Sequence, residues 1–267
     1  MIDRTNLNDV NALIIDMDGV LWAGDNPMPG LTEFFDRLND RGMRYVLATN
    51  NAMKTPEQYV SKLAKMGVSA SREQIIGSGL AAALYLKQHA PAGAKVFPIG
   101  GDGVTQALLD NGFRLVGLYE KDADYVICGM DHGLTWDKLA TATLNIRAGA
   151  QFIGTNPDTS LPTEHGLTHG NGAILAALQA ATGVAPLIIG KPEPIMYQLA
   201  MDRLQSSPAT TVAVGDRLDT DILGAVRAGI RSILVLTGAS TREHLAGLDY
   251  GPTWVMEDIR EITATLS

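Results

Sequence analysis

The stretch "ALIIDMDGVLW", from Ala12 to Trp22, ends a hydrophobic run with two carboxylates, Asp16 and Asp18, that lie one residue apart. The four apolar residues 12–15 are typical of a short strand that is buried on both faces of a parallel sheet. Residues i and i+2 share one face of a strand, and a turn that follows lets both side chains converge on one point. The stretch therefore predicts a buried strand with a polar site at its carboxyl end.

Around this stretch, short β-branched runs alternate with amphipathic segments, which indicates parallel βαβ units. Strands are predicted near the two chain ends at 12–15, 44–48, 211–214 and 232–236. A middle segment has its own strand candidates at 95–99, 124–128 and 151–155, with helices beginning near residues 104, 135 and 172. We expect an α/β protein with a Rossmann-like parallel-sheet core from residues 1–78 and 184–267, and an inserted α/β module over 79–183. One larger continuous sheet is the alternative that length leaves open.

The chain of 267 residues is 46% hydrophobic, which is enough for a proper core, and its formal net charge is −8. The negative balance argues against a nucleic-acid or anionic-membrane partner. A single cysteine, Cys128, excludes an intramolecular disulfide, and its place at a predicted strand end favours a small buried hydrophobe. The first ten residues lack a signal sequence, and no apolar run is long enough to span a bilayer, so a cytoplasmic location is expected.

Polar residues unsuited to a core follow four of the predicted strands, and ligands bind beyond the carboxyl ends of such strands. The four segments are "DMDG" at 16–19, "TNN" at 49–51, "GKP" at 190–192 after "PLII", and "GDRLDTD" at 215–221. Together they supply carboxylates, a lysine, a hydroxyl and several backbone amides. Mg²⁺ prefers oxygen ligands, and positioned donors hold phosphoryl oxygens, so this inventory fits a magnesium ion and a phosphate group.

In order and context, "DMDGVL", "ATNN", "IIGKPEP" and "VGDRLDTDI" resemble the four motifs of the haloacid dehalogenase superfamily of phosphatases. The likeness is strongest to the p-nitrophenyl phosphatase-like and nucleotide-phosphatase-like subfamily, which has a large α/β cap inserted between the second and third motifs. The segments "FIGTNPDTSLPT" and "GNGAILAALQAATG" also resemble the cap-to-core region of that subfamily. The resemblance thus covers essentially the whole chain.

The resemblance implies a role for each motif residue. Asp16 would be the nucleophile that forms an aspartyl-phosphate, and Asp18 would be the general acid that later activates water. Lys191 would balance the charge of the nucleophile against that of the phosphate. The phosphate-binding residues would be Gly19, Thr49, Asn50, Asn51 and Lys191. The Mg²⁺ ligands would be Asp16, the backbone carbonyl of Asp18 and Asp216, with Asp221 supporting the ion directly or through water, whereas Asp219 is expected to be a capping or surface residue.

The function implied is Mg²⁺-dependent hydrolysis of small phosphate monoesters, such as nucleoside monophosphates, sugar phosphates or similar metabolites. One alternative is a phosphotransferase, in which another hydroxyl replaces water. A second alternative is a non-catalytic phosphometabolite sensor. A dehalogenase is disfavoured because Asp18, Asp216 and Asp221 would be superfluous without a metal. The partner is therefore a small phosphorylated metabolite, and a homodimer is a further expectation at the level of the family.

Five other residues are candidates with two interpretations each. His132, His165, His169 and Asn171 could contact a substrate from the inserted module, but surface or loop positions are commoner for such residues. Trp22 follows the first motif, and it could pack on a flap that covers the site, although plain core packing is the default.

Overall fold

The computed structural model describes residues 7–163 and 165–266. Parallel strands joined by helices form the protein, so the predicted α/β class is confirmed. The strands are β1 (Ala12–Ile15), β2 (Trp22–Ala23), β3 (Asn26–Pro27), β4 (Arg44–Thr49), β5 (Ile75–Gly77), β6 (Lys95–Ile99), β7 (Arg114–Leu115), β8 (Tyr125–Cys128), β9 (Gln151–Gly154), β10 (Ser160–Thr163), β11 (Gly166–His169), β12 (Leu187–Ile188), β13 (Thr211–Gly215), β14 (Arg231–Val235) and β15 (Trp254–Met256). The helices are α1 (Leu31–Asp40), α2 (Pro56–Lys65), α3 (Ser78–His89), α4 (Asp102–Asp110), α5 (Trp136–Arg147), α6 (Asn171–Thr182), α7 (Pro194–Leu204), α8 (Leu223–Arg227) and α9 (Ile259–Thr265).

The chain divides into two compact units. The first contains the residues up to Thr49, Glu57–Ile76 and the chain from Lys191 onward, and the second contains Asn50–Pro56 and Gly77–Gly190. The sequence placed the module boundaries after residues 78 and 183, so 50–56, 77–78 and 184–190 fall in the second unit instead of the predicted core.

A six-stranded sheet with the order β15-β14-β13-β1-β4-β5 organises the first unit. Strand β1 pairs in parallel with β13 on one side and with β4 on the other, and Ile15 lies opposite both Val214 and Leu47. All four residues of β1 are buried, as expected for a strand covered on both faces. Side chains from this sheet and from α1, α2 and α9 form the core of the unit, which includes Leu13, Phe34, Leu63 and Ile262.

A second parallel sheet, with the order β12-β9-β8-β6-β7, organises the other unit. Its separate core includes Phe97, Val126, Ile146 and Leu178. Helix α5 follows Thr135, whose side chain caps it by accepting a hydrogen bond from the Lys138 amide, and α6 begins at Asn171, close to the predicted start.

One strand was assigned to the wrong sheet from the sequence. The run "PLII" at 186–189 was expected to be a core strand that delivers Lys191 to the site. Its central residues instead form β12, in which Leu187 pairs with Ile153 and Ile188 with Gly154 of β9. Two apolar residues fit the edge of either sheet equally well, so the local sequence does not reveal their partner.

In the described part of the chain, no helix combines the length and the apolar character that a membrane span requires.

Candidate active site

Two neighbouring parallel strands of the first sheet place one carboxylate each at their carboxyl ends. Asp16 directly follows β1, and its amide donates to the Val214 carbonyl at 2.8 Å, which extends the ladder by one residue. Asp216 directly follows β13, the neighbouring strand. Strand order reverses on the two sides of β1, and such a switch point opens a crevice beyond the strand ends.

Three acidic side chains form a cluster at this edge. Asp16, Asp216 and Asp221 each offer a carboxylate oxygen, and these atoms all lie within 4.8 Å of one another. Asp216 and Asp221 are buried, at 4% and 3% exposure, and Asp16 is partly buried. Asp221 comes from the π-helical turn Leu218–Ile222, where its Oδ2 accepts a hydrogen bond from the Arg217 amide at 3.1 Å. The structure therefore brings together the three side chains that the sequence predicted as metal ligands.

Lys191 lies within this cluster. Its ammonium pairs with the Asp16 carboxylate, lies 2.7 Å from Asp221 Oδ1 and donates to the Ala48 carbonyl at 3.0 Å. The residue is 3% exposed, so these partners replace the water that it would otherwise bind. Three carboxylates around one ammonium leave two negative charges when all groups are ionised.

Burial and mutual repulsion set the protonation of the cluster. Burial raises the pKa of Asp16 well above its usual range, and Lys191 opposes this while Asp221 and Asp216 reinforce it. Burial and the neighbouring Asp221 raise the pKa of Asp216 to about 6. Burial disfavours the charged form of Lys191, but Asp16 and Asp221 outweigh it and raise its pKa above the usual value. The lysine thus stays charged, and the raised pKa values of Asp16 and Asp216 reflect burial and repulsion between carboxylates, which a bound cation would relieve.

Small residues let the backbone approach Asp216 closely. A Cβ on Gly238 would lie 1.9 Å from Asp216 Oδ2, and the amide of Ala239 donates to that oxygen at 2.7 Å. Gly19 has φ +85°, and a Cβ there would lie 2.6 Å from the same oxygen. Sequence reasoning missed Gly238 and Ala239, although a small-residue run directly after the strand "SILVL" was a usable signal.

The turn after β1 holds Asp18 at an exposed position. Its Oδ1 accepts a hydrogen bond from Trp22 Nε1 at 2.7 Å. The Gly19 amide, which was predicted to bind phosphate, donates instead to the Trp22 carbonyl at 2.8 Å because the chain turns back on itself here. The amide of Gly19 thus helps to close the turn, and the phosphate-binding role of this residue stays a prediction. The metal role of the Asp18 carbonyl stays a prediction.

The predicted phosphate-binding residues after β4 fall in different units. Thr49 is the last residue of β4, is 4% exposed and belongs to the first unit. Asn50 and Asn51 belong to the second unit. There Asn50 Nδ2 donates to Asp158 Oδ2 at 3.2 Å, and Asn51 Oδ1 accepts from the Met53 amide at 2.9 Å. Their binding of phosphate stays a prediction.

The remaining candidates lie outside the cluster. Asp219 is exposed and pairs with Arg217, as expected of a surface residue. Asn171 is 2% exposed, and its amide donates to the carbonyls of Cys128 and Asn156 at 3.1 and 2.8 Å, so it joins backbone segments instead of facing a substrate. Cys128 is buried, which confirms its interpretation as a small hydrophobe. The three candidate histidines are exposed: His132, His165 and His169.

Comparisons of sequence and structure relate this chain to known hydrolases. Models of the haloacid dehalogenase-like hydrolases match residues 13–114 and 188–262. An acid sugar phosphatase of Staphylococcus aureus is 41% identical over 97% of this chain and 99% of its own. The crystal structure of a 4-nitrophenylphosphatase from Thermotoga maritima has a TM-score of 0.91 and 31% identity, and covers 98% of this chain and 99% of its own. A glycerol phosphate phosphatase from Mycobacterium tuberculosis, solved in complex with magnesium, has a TM-score of 0.88 and 34% identity, and covers 96% and 77%.

The matched regions contain all the residues of the acidic cluster together with Lys191. The two family models cover more than half of the chain, and the staphylococcal relative is similar over nearly its whole length. The chain therefore belongs to the haloacid dehalogenase-like hydrolases, where it groups with phosphatases as its four motifs predicted.

Proposed function

We propose that this protein is a Mg²⁺-dependent phosphatase that hydrolyses small phosphate monoesters through an aspartyl-phosphate on Asp16. The observation that carries the proposal is the cluster of three carboxylates around one buried ammonium. A buried excess of two negative charges costs free energy in the absence of a cation, which is a feature of sites that bind one.

The donor set fits magnesium. Mg²⁺ is a hard cation that is bound through a few carboxylates and keeps several waters. Asp16, Asp216 and Asp221 provide oxygen ligands alone, and their combined charge with Lys191 equals the charge that a divalent ion neutralises. When bound, the ion would lower the repulsion between the Asp16 carboxylate and a phosphoryl dianion.

In the proposed first step, a carboxylate oxygen of Asp16 attacks phosphorus. The bond between phosphorus and the leaving oxygen breaks, its electron pair stays on that oxygen, and Asp18 donates a proton to it. The products are an alcohol, an aspartyl-phosphate on Asp16 and the Asp18 carboxylate. Lys191 stays charged beside Asp16, so it orients the nucleophile and offsets the charge of the arriving phosphate.

In the proposed second step, water gives a proton to the Asp18 carboxylate and attacks the phosphorus of the aspartyl-phosphate. The bond between phosphorus and the Asp16 oxygen breaks, which releases inorganic phosphate and restores both aspartates. Asp18 is suited to this exchange because it lies on the turn after β1 and is exposed, whereas Asp16 is held at the strand end. The two carboxylates that open the first motif thus take different roles because their surroundings differ.

We propose phosphorylated sugars and polyols as the substrate class. The staphylococcal relative is named for sugar phosphates and the mycobacterial structure for glycerol phosphate, and both are small alkyl phosphate esters. Nucleoside monophosphates remain in the same chemical class of monoester. The second unit, inserted between β5 and α7, would act as the cap that selects among them.

The test is a panel of phosphate monoesters with released phosphate as the readout. The panel contains glycerol phosphate, hexose phosphates, nucleoside monophosphates and p-nitrophenyl phosphate, each with Mg²⁺ and with excess EDTA. We expect turnover that EDTA abolishes and added Mg²⁺ restores. Turnover that resists EDTA would contradict the metal-dependent mechanism, and transfer of phosphate to added acceptor sugars without release would favour a phosphotransferase.

A further inference from the structure

We propose that Trp22 is a positioning residue that fixes the orientation of the Asp18 carboxylate for proton transfer to the leaving group. The inference rests on the proposed phosphatase function and adds to it a residue outside the four motif assignments. It assigns to Trp22 a role beyond core packing, which was the default interpretation of its sequence position.

The hydrogen bond itself is short and local. The indole Nε1 of Trp22 donates to Asp18 Oδ1 at 2.7 Å. Backbone bonds close the same turn, since the Gly19 amide donates to the Trp22 carbonyl at 2.8 Å and the Leu21 amide to the Met17 carbonyl at 2.8 Å. An indole nitrogen is a donor only, so its partner oxygen must present a lone pair.

The indole ring cannot turn away from Asp18 without disturbing the core. Trp22 is fully buried, and its ring stacks on Tyr59 with centroids 6.5 Å apart and an interplanar angle of 18°. The Lys62 ammonium lies 4.5 Å from the ring centroid. Tyr59 and Lys62 are three residues apart on α2 and therefore lie on the same face of that helix. This face holds the indole ring through the stacking contact of Tyr59 and the cation–π contact of Lys62.

Lys62 also fastens the hairpin that begins with Trp22. Its ammonium donates to the Gly24 carbonyl at 2.7 Å and lies 3.6 Å from Asp25, both in the turn between β2 and β3. The side chain of Lys62 is only 16% exposed, which indicates that these contacts are packed. Helix α2, the hairpin and the indole therefore act as one support for the exposed carboxylate of Asp18.

The consequence is a choice between the two oxygens of Asp18. Because Oδ1 accepts from the indole, a proton carried by this carboxyl group belongs on Oδ2. In the first step Oδ2 gives that proton to the leaving oxygen, which receives the electron pair of the broken bond to phosphorus. In the second step Oδ2 accepts a proton from the attacking water. A carboxyl group free to rotate would offer the proton from either oxygen and in more than one direction.

The test compares two leaving groups in the wild type and in Trp22→Phe. An alkoxide such as that of glycerol phosphate needs a proton as it departs, whereas p-nitrophenolate is stable without one. We expect Trp22→Phe to lower kcat on glycerol phosphate by roughly 10- to 100-fold and on p-nitrophenyl phosphate by less than about threefold, with KM little changed. Equal losses on both substrates, or no loss on either, overturn the role of Trp22. A wild type that hydrolyses neither substrate with Mg²⁺ overturns the proposed function instead.

Two controls separate positioning from general damage. Trp254→Phe removes another tryptophan of the first unit, one that stacks with Arg231 away from the cluster, and we expect the ratio of the two activities to stay at its wild-type value. Trp22→Phe in the Asp18→Asn background should cause little further loss, because the group it positions is already gone. A further loss of the full size would contradict the proposal.

A spectroscopic measurement decides the matter where Trp22→Phe fails to fold. The chain has 3 tryptophans, so a ¹⁵N-labelled sample gives one indole N–H resonance for each. Asp18→Asn, which weakens the acceptor, should move one of these resonances and leave the other two in place. If all three stay where they are in the wild type, the Asp18–Trp22 bond does not form in solution and the proposal is wrong.

Discussion

Both units bury polar side chains, and two of these arrangements differ: a charged cluster in the first unit and the neutral amide of Asn145 in the second. The acidic cluster of the first unit holds Asp16, Asp216 and Asp221 around one ammonium, which leaves an excess of negative charge. In the second unit, Asn145 is fully buried and also lies among polar atoms. Its amide donates to the carbonyls of Glu120 and Thr141 at 2.8 and 3.0 Å, and its Oδ1 accepts from the Ala123 amide at 3.0 Å.

The difference lies in what each arrangement still lacks. The side chain of Asn145 makes its hydrogen bonds to backbone groups of the same unit. It therefore links α5, which carries it, to the turn before β8. The charges of the acidic cluster do not cancel within the described residues when all its groups are ionised, and the proposed metal site rests on this excess. A buried amide whose hydrogen bonds are all made within the chain thus indicates a structural role, whereas a buried charge without full compensation indicates a candidate binding site.

The largest expected effect is that of Asp16→Asn. Asparagine keeps the shape but loses the nucleophilic oxygen, so turnover with Mg²⁺ should fall at least about 1,000-fold. The variant should fold normally, because it also removes one of the repelling charges of the cluster. Released phosphate and thermal unfolding measure the two effects. Near-normal turnover would show that the cluster is not the reacting site.

The next effect is that of Lys191→Met, which leaves the three carboxylates without their ammonium. Removing one partner of a buried ion pair costs about 3–5 kcal/mol, and we expect a loss of this size in metal-free protein by urea unfolding at neutral pH. Added Mg²⁺ should recover part of the loss, while turnover stays low. Metal-free stability equal to that of the wild type would mean that the carboxylates of the cluster do not depend on Lys191.

Asn145→Ala is the matching test in the second unit. It removes the partners of three backbone groups, and an unsatisfied buried group costs about 1–3 kcal/mol, so a loss of about 3 kcal/mol in the free energy of unfolding is expected. The kcat of the folded fraction should stay at the wild-type value. Strong loss of kcat at a temperature where the variant is fully folded would break the distinction between the two kinds of buried polar group.

Magnesium itself should stabilise the first unit. A ligand present at 100 times its Kd adds about 2.7 kcal/mol to the free energy of unfolding of the state that binds it. The gain should shrink as the pH falls below about 6, because Asp216 has its pKa raised to about 6 and must lose its proton to bind the ion. Thermal shifts with and without Mg²⁺ at pH 7.5 and pH 5 check the sign. An equal shift at both values would argue against the carboxylates as ligands.

The sequence predicted the acidic cluster of the first unit better than the buried amides of the second. Alternating patterns placed β1, β4, β13 and β14 correctly, and parallel pairing at known strand ends then brings Asp16 and Asp216 together. Acidic residues after a buried strand are visible in the sequence because they are unsuited to a core. Asn171 was a candidate because its stretch resembles the substrate-specificity region of the cap, but its amide donates to the carbonyls of Cys128 and Asn156, which lie 43 and 15 residues away.

What the sequence left open depends on pairing over long distances. The two residues of β12 contain no signal for which sheet they join, and the Ala239 contact to Asp216 links a loop to a strand end 23 residues earlier. The direction of a single N–H is equally invisible in the sequence: only the structure shows that the Gly19 amide donates to the Trp22 carbonyl.

The smallest expected effect is that of Asp219→Asn, which tests whether an exposed aspartate next to the acidic cluster contributes to its function. Asp219 lies two residues from Asp221 in the same turn, but its side chain is 67% exposed and pairs with Arg217. Exposed ion pairs are worth about 0–1 kcal/mol, so stability should change by less than about 0.5 kcal/mol and kcat should not change. Measured beside Asp221→Asn, which we expect to weaken Mg²⁺ binding, the variant removes an equal charge from the same turn. A comparable loss of Mg²⁺ affinity in both would mean that total negative charge, and not the placement of three side chains, holds the ion.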